Sequence, residues 1–229
     1  MNRLFLRPER SVIPIHYTPY EAILTRISLM SPTTYMTYTG LMAYQTVIPP
    51  HGGYRRLRSY QASEIIYDLT VKFCDSYMSY STNKSYRTYD QMVQAARSGK
   101  QNIAEGSMAS GTSKKTELKL IGVARASLEE LLLDYEDFLR QKNLPLWDKN
   151  HPKSLEIRNR SYQSNRSYAT YMTYLTNPES AANCAICLIN QANYLLDRQL
   201  QALEKEFLEK GGFTENLYRA RQISKGNLS

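Results

Sequence analysis

Four stretches of the chain carry apolar residues at intervals of three and four, the spacing that lines one face of an α-helix. In 59–80 these are Ala62, Ile65, Ile66, Leu69, Phe73 and Tyr77, and in 86–105 they are Tyr89, Met92, Val93, Ala96 and Ile103. The run in 112–142 is the longest: Leu118, Ile121, Ala124, Leu128, Leu131, Leu132, Tyr135, Phe138 and Leu139. In 181–210 the stripe is Leu188, Ala192, Leu195, Leu196, Leu200, Leu203 and Phe207. Each stretch has a broad apolar face to bury, and a two-helix hairpin cannot bury two such faces alone. Only the short polar connection 107–111 joins the second stretch to the third, which makes those two antiparallel neighbours. The pattern predicts an all-α protein, an antiparallel up-down four-helix bundle.

The punctuation sharpens this. Gly99 lies inside the second helix beside Ala95 and Asn102. A helical glycine costs about 1 kcal/mol relative to alanine, so its bare backbone is expected to let a neighbouring helix come close. Gly106 is expected to end that helix in the left-handed conformation, and Thr112 or Ser113 to cap the next. Pro145 cannot continue the third helix, and Gly211-Gly212 should stop the fourth.

Outside these stretches the texture differs. Residues 1–53 hold six of the nine prolines and no sustained period, and we expect a disordered leader there, ending at His51-Gly-Gly53. The first three helices then occupy 54–145. Residues 146–180 read as a polar, tyrosine-rich connection with a short helix near 155–160 or 168–175, and 181–229 as the fourth helix with a small appendage. Tyr-Met-Thr/Ser-Tyr occurs at Tyr35, Tyr77 and Tyr171 without a common period, so it marks no solenoid. Such tyrosines can stack on unpaired bases, but packing against helix flanks is the plainer role.

Composition excludes several classes. No apolar run approaches the roughly eighteen residues of a membrane span. The start MNRLFLRPER has no apolar h-region after its arginines, and three cysteines give no disulfide framework, so a cytoplasmic protein without membrane contact is expected. Cys184-Ala-Ile-Cys187 is a CxxC, but a structural zinc site needs four ligands. Cys74, His16, His51 and His151 lack ligand spacing, and two small buried thiols on one helix face explain the motif better. No GxSxG, GK[ST], GxGxxG or HExxH pattern occurs. No catalytic residue, metal site or cofactor is assigned, and the chain is read as non-enzymatic.

Charge supplies the candidate site. The chain carries a formal +8, yet residues 1–60 hold seven Lys/Arg against two acids, so the remainder is only mildly basic. Lys114, Lys115 and Lys119 open the third helix, and Glu129, Glu130, Asp134, Glu136 and Asp137 follow towards its end, opposite to the order a helix dipole favours. Arg97 and Lys100 approach the same connection from the second helix. One reading is a solvated surface with pairs such as Arg125–Glu129. The sharper reading is a cationic hairpin tip of Arg97, Lys100, Lys114, Lys115 and Lys119 that receives nucleic-acid phosphate. Arg55, Arg56 and Arg58 could extend it.

The stretch Arg97-Ser-Gly-Lys-Gln-Asn102-Ile103-Ala104-Glu105-Gly106, with Ser113-Lys-Lys-Thr-Glu-Leu118 and Ala124-Arg-Ala-Ser-Leu-Glu-Glu-Leu131, resembles a family of four-helix-bundle proteins. That family includes proteins encoded by 23S ribosomal RNA intervening sequences and the accessory variability proteins of diversity-generating retroelements. The resemblance spans about residues 50–145. His51–Tyr60, Leu196–Leu200 and Gly211–Glu215 look like a subgroup with a longer C-terminal suffix. It implies a four-helix bundle assembled as a homo-oligomer, with a pentamer favoured, and a basic surface. For retroelement members it implies binding to a reverse transcriptase and its template RNA. Ser107-Met108 stand where the family commonly has Gly-Arg, so this tip has one basic residue fewer. The leading expectation is an RNA-binding accessory protein; the alternative is a protein–protein scaffold that binds no nucleic acid.

Overall fold

The computed structural model describes residues 48–78, 86–163 and 166–226. Among them there is no strand. The helices are α1 (Arg58–Tyr77), α2 (Tyr86–Ala109), α3 (Lys114–Gln141), α4 (Pro152–Arg160), α5 (Pro178–Lys210) and α6 (Phe213–Ser224). A single 3₁₀ turn covers Tyr54–Arg56, and a longer 3₁₀ helix covers Tyr168–Tyr174. The four long helices fall where the periodicity places them; within 146–180, where one short helix is expected at either of two places, both places are helical. Residues 1–47, most of the expected leader, lie outside the described residues.

The apolar stripes meet in one core. Ile66 and Phe73 of α1, Met92 and Ile103 of α2, Leu128 and Tyr135 of α3, and Ile189 and Leu196 of α5 are all essentially inaccessible to solvent. Cross-helix contacts give the pairing. Tyr89 donates to Asp75 at 2.8 Å and Lys100 lies over the Tyr67 ring, which joins α1 to α2. Ser98 and Ser127 hydroxyls meet at 2.9 Å between α2 and α3. Arg125 reaches Asp197, and Asn193 reaches Glu129, between α3 and α5. Ser59 donates to Gln199 at 2.8 Å between α1 and α5. At the centre the Tyr135 hydroxyl donates to Thr70, which donates to the Ile66 carbonyl, so this buried phenol is satisfied. Phe73 packs edge-on against both Tyr135 and Phe138.

Gly99 does what its bare backbone suggests: a Cβ there would lie 2.7 Å from Leu128 Cδ2. Gly106 does not end α2. The helix runs through it to Ala109, because Gly106 is also a contact residue, its α-carbon facing Ile121 and Leu120 of α3. The chain turns three residues later, where the Thr112 and Ser113 amides both donate to the Ala109 carbonyl. Ser113 then caps α3 by accepting from the Thr116 amide at 3.1 Å. Gly211, at φ 73°, ends α5 as expected.

The 146–180 segment is more than a connection. The Trp147 backbone N–H donates to Asn183 Oδ1 and its indole N–H donates to Glu179. Ile157 and Tyr171 are fully buried, and α4 packs along α5. Tyr171 and Tyr174 are thus core residues, and Tyr77 donates to the Leu175 carbonyl at 2.6 Å. The Tyr35 copy of the tyrosine motif lies outside the described residues.

Candidate nucleic-acid interface

The connection between α2 and α3 is held by a segment from before α1. The Gly52 amide donates to the Ser107 carbonyl at 3.0 Å, and the Ser107 hydroxyl returns a 3.0 Å bond to the Gly52 carbonyl. Positive φ at Gly52 and Gly53 lets the chain bend there. The His51 ring lies against Gly111, where a Cβ would come within 2.7 Å of it. Residues 51–53, read from sequence as the end of the leader, are therefore part of this end of the fold. The 3₁₀ turn that follows packs against α1 and α2, with the Tyr54 ring 4.8 Å from Tyr60. This brings the exposed Arg55 and Arg56 to the same end as Lys115 and Lys119, also exposed and one turn apart.

The other predicted site residues are placed differently. Lys114 is half-buried, its ammonium 3.0 Å from Glu117 and 3.4 Å from Glu206. Burial works against its charge, but the two carboxylates outweigh this and raise its pKa. Glu117 is itself 7 % exposed, and burial pushes its carboxyl up more than Lys114 draws it down. Lys114 is thus committed to tying α3 to α5. Lys100 is turned towards α1, its ammonium 4.2 Å above the Tyr67 ring. Arg97 is exposed, but it stands twelve residues before the end of α2, about 18 Å along the helix at 1.5 Å per residue. The five cations of the sequence reading do not form one patch. Among the described residues Arg55, Arg56, Arg97, Lys115 and Lys119 pair with no carboxylate. The end of α5 nearby pairs internally through Lys205–Glu209 and Lys210–Glu206.

Most of the residues of the stretch Asn102–Gly106 make packing or backbone contacts within the fold. Asn102 donates to the Ser98 carbonyl and hydroxyl, Ile103 is fully buried, Ala104 is half-buried, Glu105 is exposed, and Gly106 sits against α3. Cys74 and Cys184 are buried, and burial pushes both thiols well up, Cys74 to about 12. No cluster of three or more metal-binding side chains occurs among the described residues. Sequence reasoning passed over a second basic region, a cleft beside α4 and α5, because 151–180 carries no long period to order its residues. Arg158 and Tyr194 belong to it. Against family models, curated proteins and solved structures, the chain finds no match.

Proposed function

We propose that the protein is a non-enzymatic nucleic-acid-binding accessory protein, with RNA as the preferred partner, and that α1, α2, α3 and α5 form an antiparallel up-down four-helix bundle of the resembled family. The observation that carries the binding reading is the set of exposed, unpaired cations at one end: Arg55, Arg56, Lys115 and Lys119. Uncompensated charge on packed elements holds a field that solvated ion pairs cancel, and phosphate is the ligand that such a field draws. Binding there needs no base contacts, so it is indifferent to sequence. For single strands, log affinity falls by about 0.7 per log unit of salt for each phosphate neutralised, so four cations give a slope near −2.8.

Fluorescence anisotropy of labelled RNA against salt tests this. Lys115→Glu with Lys119→Glu should abolish binding at 100 mM salt while circular dichroism stays unchanged. Retention of parental affinity would leave the end a solvated surface. Cytoplasmic residence and a homo-oligomeric state, pentamer favoured, belong to the same reading. Val123 and Leu133, 40 % and 56 % exposed on α3, offer apolar surface for subunit contact. Light scattering at micromolar concentration should return about five times the 26.4 kDa chain mass, and a monomer mass would end the pentamer reading. A reverse transcriptase as partner rests on the family resemblance alone, and capture of such an enzyme by the purified protein tests it. The scaffold reading draws on α6, none of whose residues is buried although Tyr218 and Ile223 are apolar. It predicts that partner binding survives the lysine reversals.

A further inference from the structure

Beside the candidate interface, between the start of α1, residues 147–149, α4 and the outer face of α5, lies a cleft of about 460 Å³. That size is within the roughly 300–1,000 Å³ range of small-molecule sites. Helical spacing builds its walls. Ser154 and Arg158 are one turn apart on α4, which Ile157 anchors in the core. Cys187, Gln191 and Tyr194 descend one face of α5.

The lining is cationic. Arg58, Lys149, Arg158 and Arg166 face it, against the single carboxylate of Asp148. None of these four cations has a carboxylate partner among the described residues. Arg158 and Arg166 are steadied instead by backbone carbonyls, of Lys149 and Ser161, which hold the guanidinium in place without neutralising it. A guanidinium so held keeps donors free in the planar arrangement that matches phosphate.

The cleft also holds polar groups with no partner. Ser154 is 1 % exposed, and its hydroxyl has no hydrogen bond; its polar neighbour is the Cys187 thiol, a weak one. The Gln191 amide nitrogen is likewise buried and unpaired. A buried polar atom left unsatisfied costs about 1–3 kcal/mol, and a ligand with acceptor atoms would remove that cost. Tyr162 and Tyr194 stand at the same cleft and are 73 % and 63 % exposed. Exposed tyrosines beside unpaired arginines are the combination that stacks a base and holds its phosphate.

We propose that this cleft binds a nucleoside 5′-phosphate, its phosphate on Arg58 and Arg158, its base against Tyr194, and its ring acceptors towards Gln191 and Ser154. The nucleotide is either free or the 5′ end of a single strand; the chemistry recognised is the same. Arg58, which the sequence reading grouped with Arg55 and Arg56, lines this cleft; the site uses none of Arg55, Arg56, Lys115 and Lys119 and stands whether or not that end binds nucleic acid.

Calorimetric titration of the full chain tests this with AMP, adenosine, inorganic phosphate, and a single-stranded hexanucleotide with and without 5′-phosphate. AMP should bind at least tenfold more tightly than adenosine or phosphate. Tyr194→Ala should weaken AMP by about 5- to 150-fold, the range of a lost stacking contact, and leave phosphate unchanged. Arg158→Ala and Arg58→Ala should each weaken AMP and phosphate together, at parental helicity. Lys115→Glu with Lys119→Glu should leave AMP affinity unaltered. A hexanucleotide bound more tightly with its 5′-phosphate than AMP would identify the strand end as ligand; equal affinity would identify the free nucleotide. If AMP binds no better than phosphate, or if the Tyr194 and arginine variants bind it like the parent, the proposal is overturned.

Discussion

Two glycines inside long helices provide a test of how closely α2 and α3 approach. Replacing either by alanine removes the same intrinsic penalty, about 1 kcal/mol. At Gly122 a Cβ meets nothing within 4 Å, so Gly122→Ala should stabilise the protein by roughly that amount. At Gly99 the new Cβ would lie 2.7 Å from Leu128 Cδ2 and 2.9 Å from its Cγ. Leu128 is fully buried and cannot swing into solvent, so relief requires α2 and α3 to separate. Overpacking of this kind costs about 1–3 kcal/mol. After the helical gain is subtracted, Gly99→Ala should be neutral to about 2 kcal/mol destabilising. The two variants should therefore differ by about 1–3 kcal/mol, although their chemistry is identical. Urea unfolding followed by circular dichroism reads this as a midpoint raised by Gly122→Ala and unchanged or lowered by Gly99→Ala, at constant slope. Equal stabilisation by both variants would mean that α2 and α3 do not touch at Gly99. A second arm isolates the cause: in a Leu128→Ala background the added Cβ has room, so Gly99→Ala should lose its penalty there.

Two further substitutions address buried polar chemistry. Tyr171 is fully buried and its hydroxyl has no partner, so Tyr171→Phe should stabilise by about 1 kcal/mol, whereas Tyr135→Phe, which breaks the bond to Thr70, should cost about 0.5–1.5 kcal/mol in the same unfolding assay. Burial pushes the Cys74 thiol up from 9.0 to about 12, so between those pH values the folded chain holds a proton that the unfolded chain releases. Stability from this group is intact below pH 9.0 and is lost as pH rises towards about 12, and Cys74→Ala should flatten that alkaline decline in midpoint.

What the sequence made legible was what lies on one element. Stripes such as Ile121–Leu128–Tyr135 follow directly from a 3.6-residue period, and the Ser113 cap follows from its position before α3. Gly106 misled because local rules make glycine a terminator, while its use here is set by Ile121 on another helix. Lys114 looked like a free cation because Glu206, the carboxylate that joins Glu117 around it, is 92 residues away. Arg55 and Arg56 could be recognised as basic, but not as neighbours of the α2–α3 end. That placement depends on a glycine amide finding Ser107, and backbone bonds of that span leave no periodic trace. The α4–α5 cleft was illegible for the same reason: its four cations come from four separate segments of the chain.

The paired bonds between Gly52 and Ser107 bear on the order in which the molecule assembles. They close a span of 55 residues, which for a free chain costs about 3.5 kcal/mol from length alone. Two hydrogen bonds contribute a net of about 1 kcal/mol each and cannot meet that cost. They form only after α1 has docked on α2, when the span left to order shrinks to the few residues between Gly52 and Leu57. Ordering even these costs about 1–2 kcal/mol per residue, so the two hydrogen bonds alone leave no surplus and the packing around Tyr54 must supply the rest. The clasp is consequently the last part of this end to form and the first to open, with an amide at Gly52 that exchanges with solvent well before those of the core. Arg55 and Arg56 follow the clasp directly, so an opening of it would move two of the four unpaired cations of this end together.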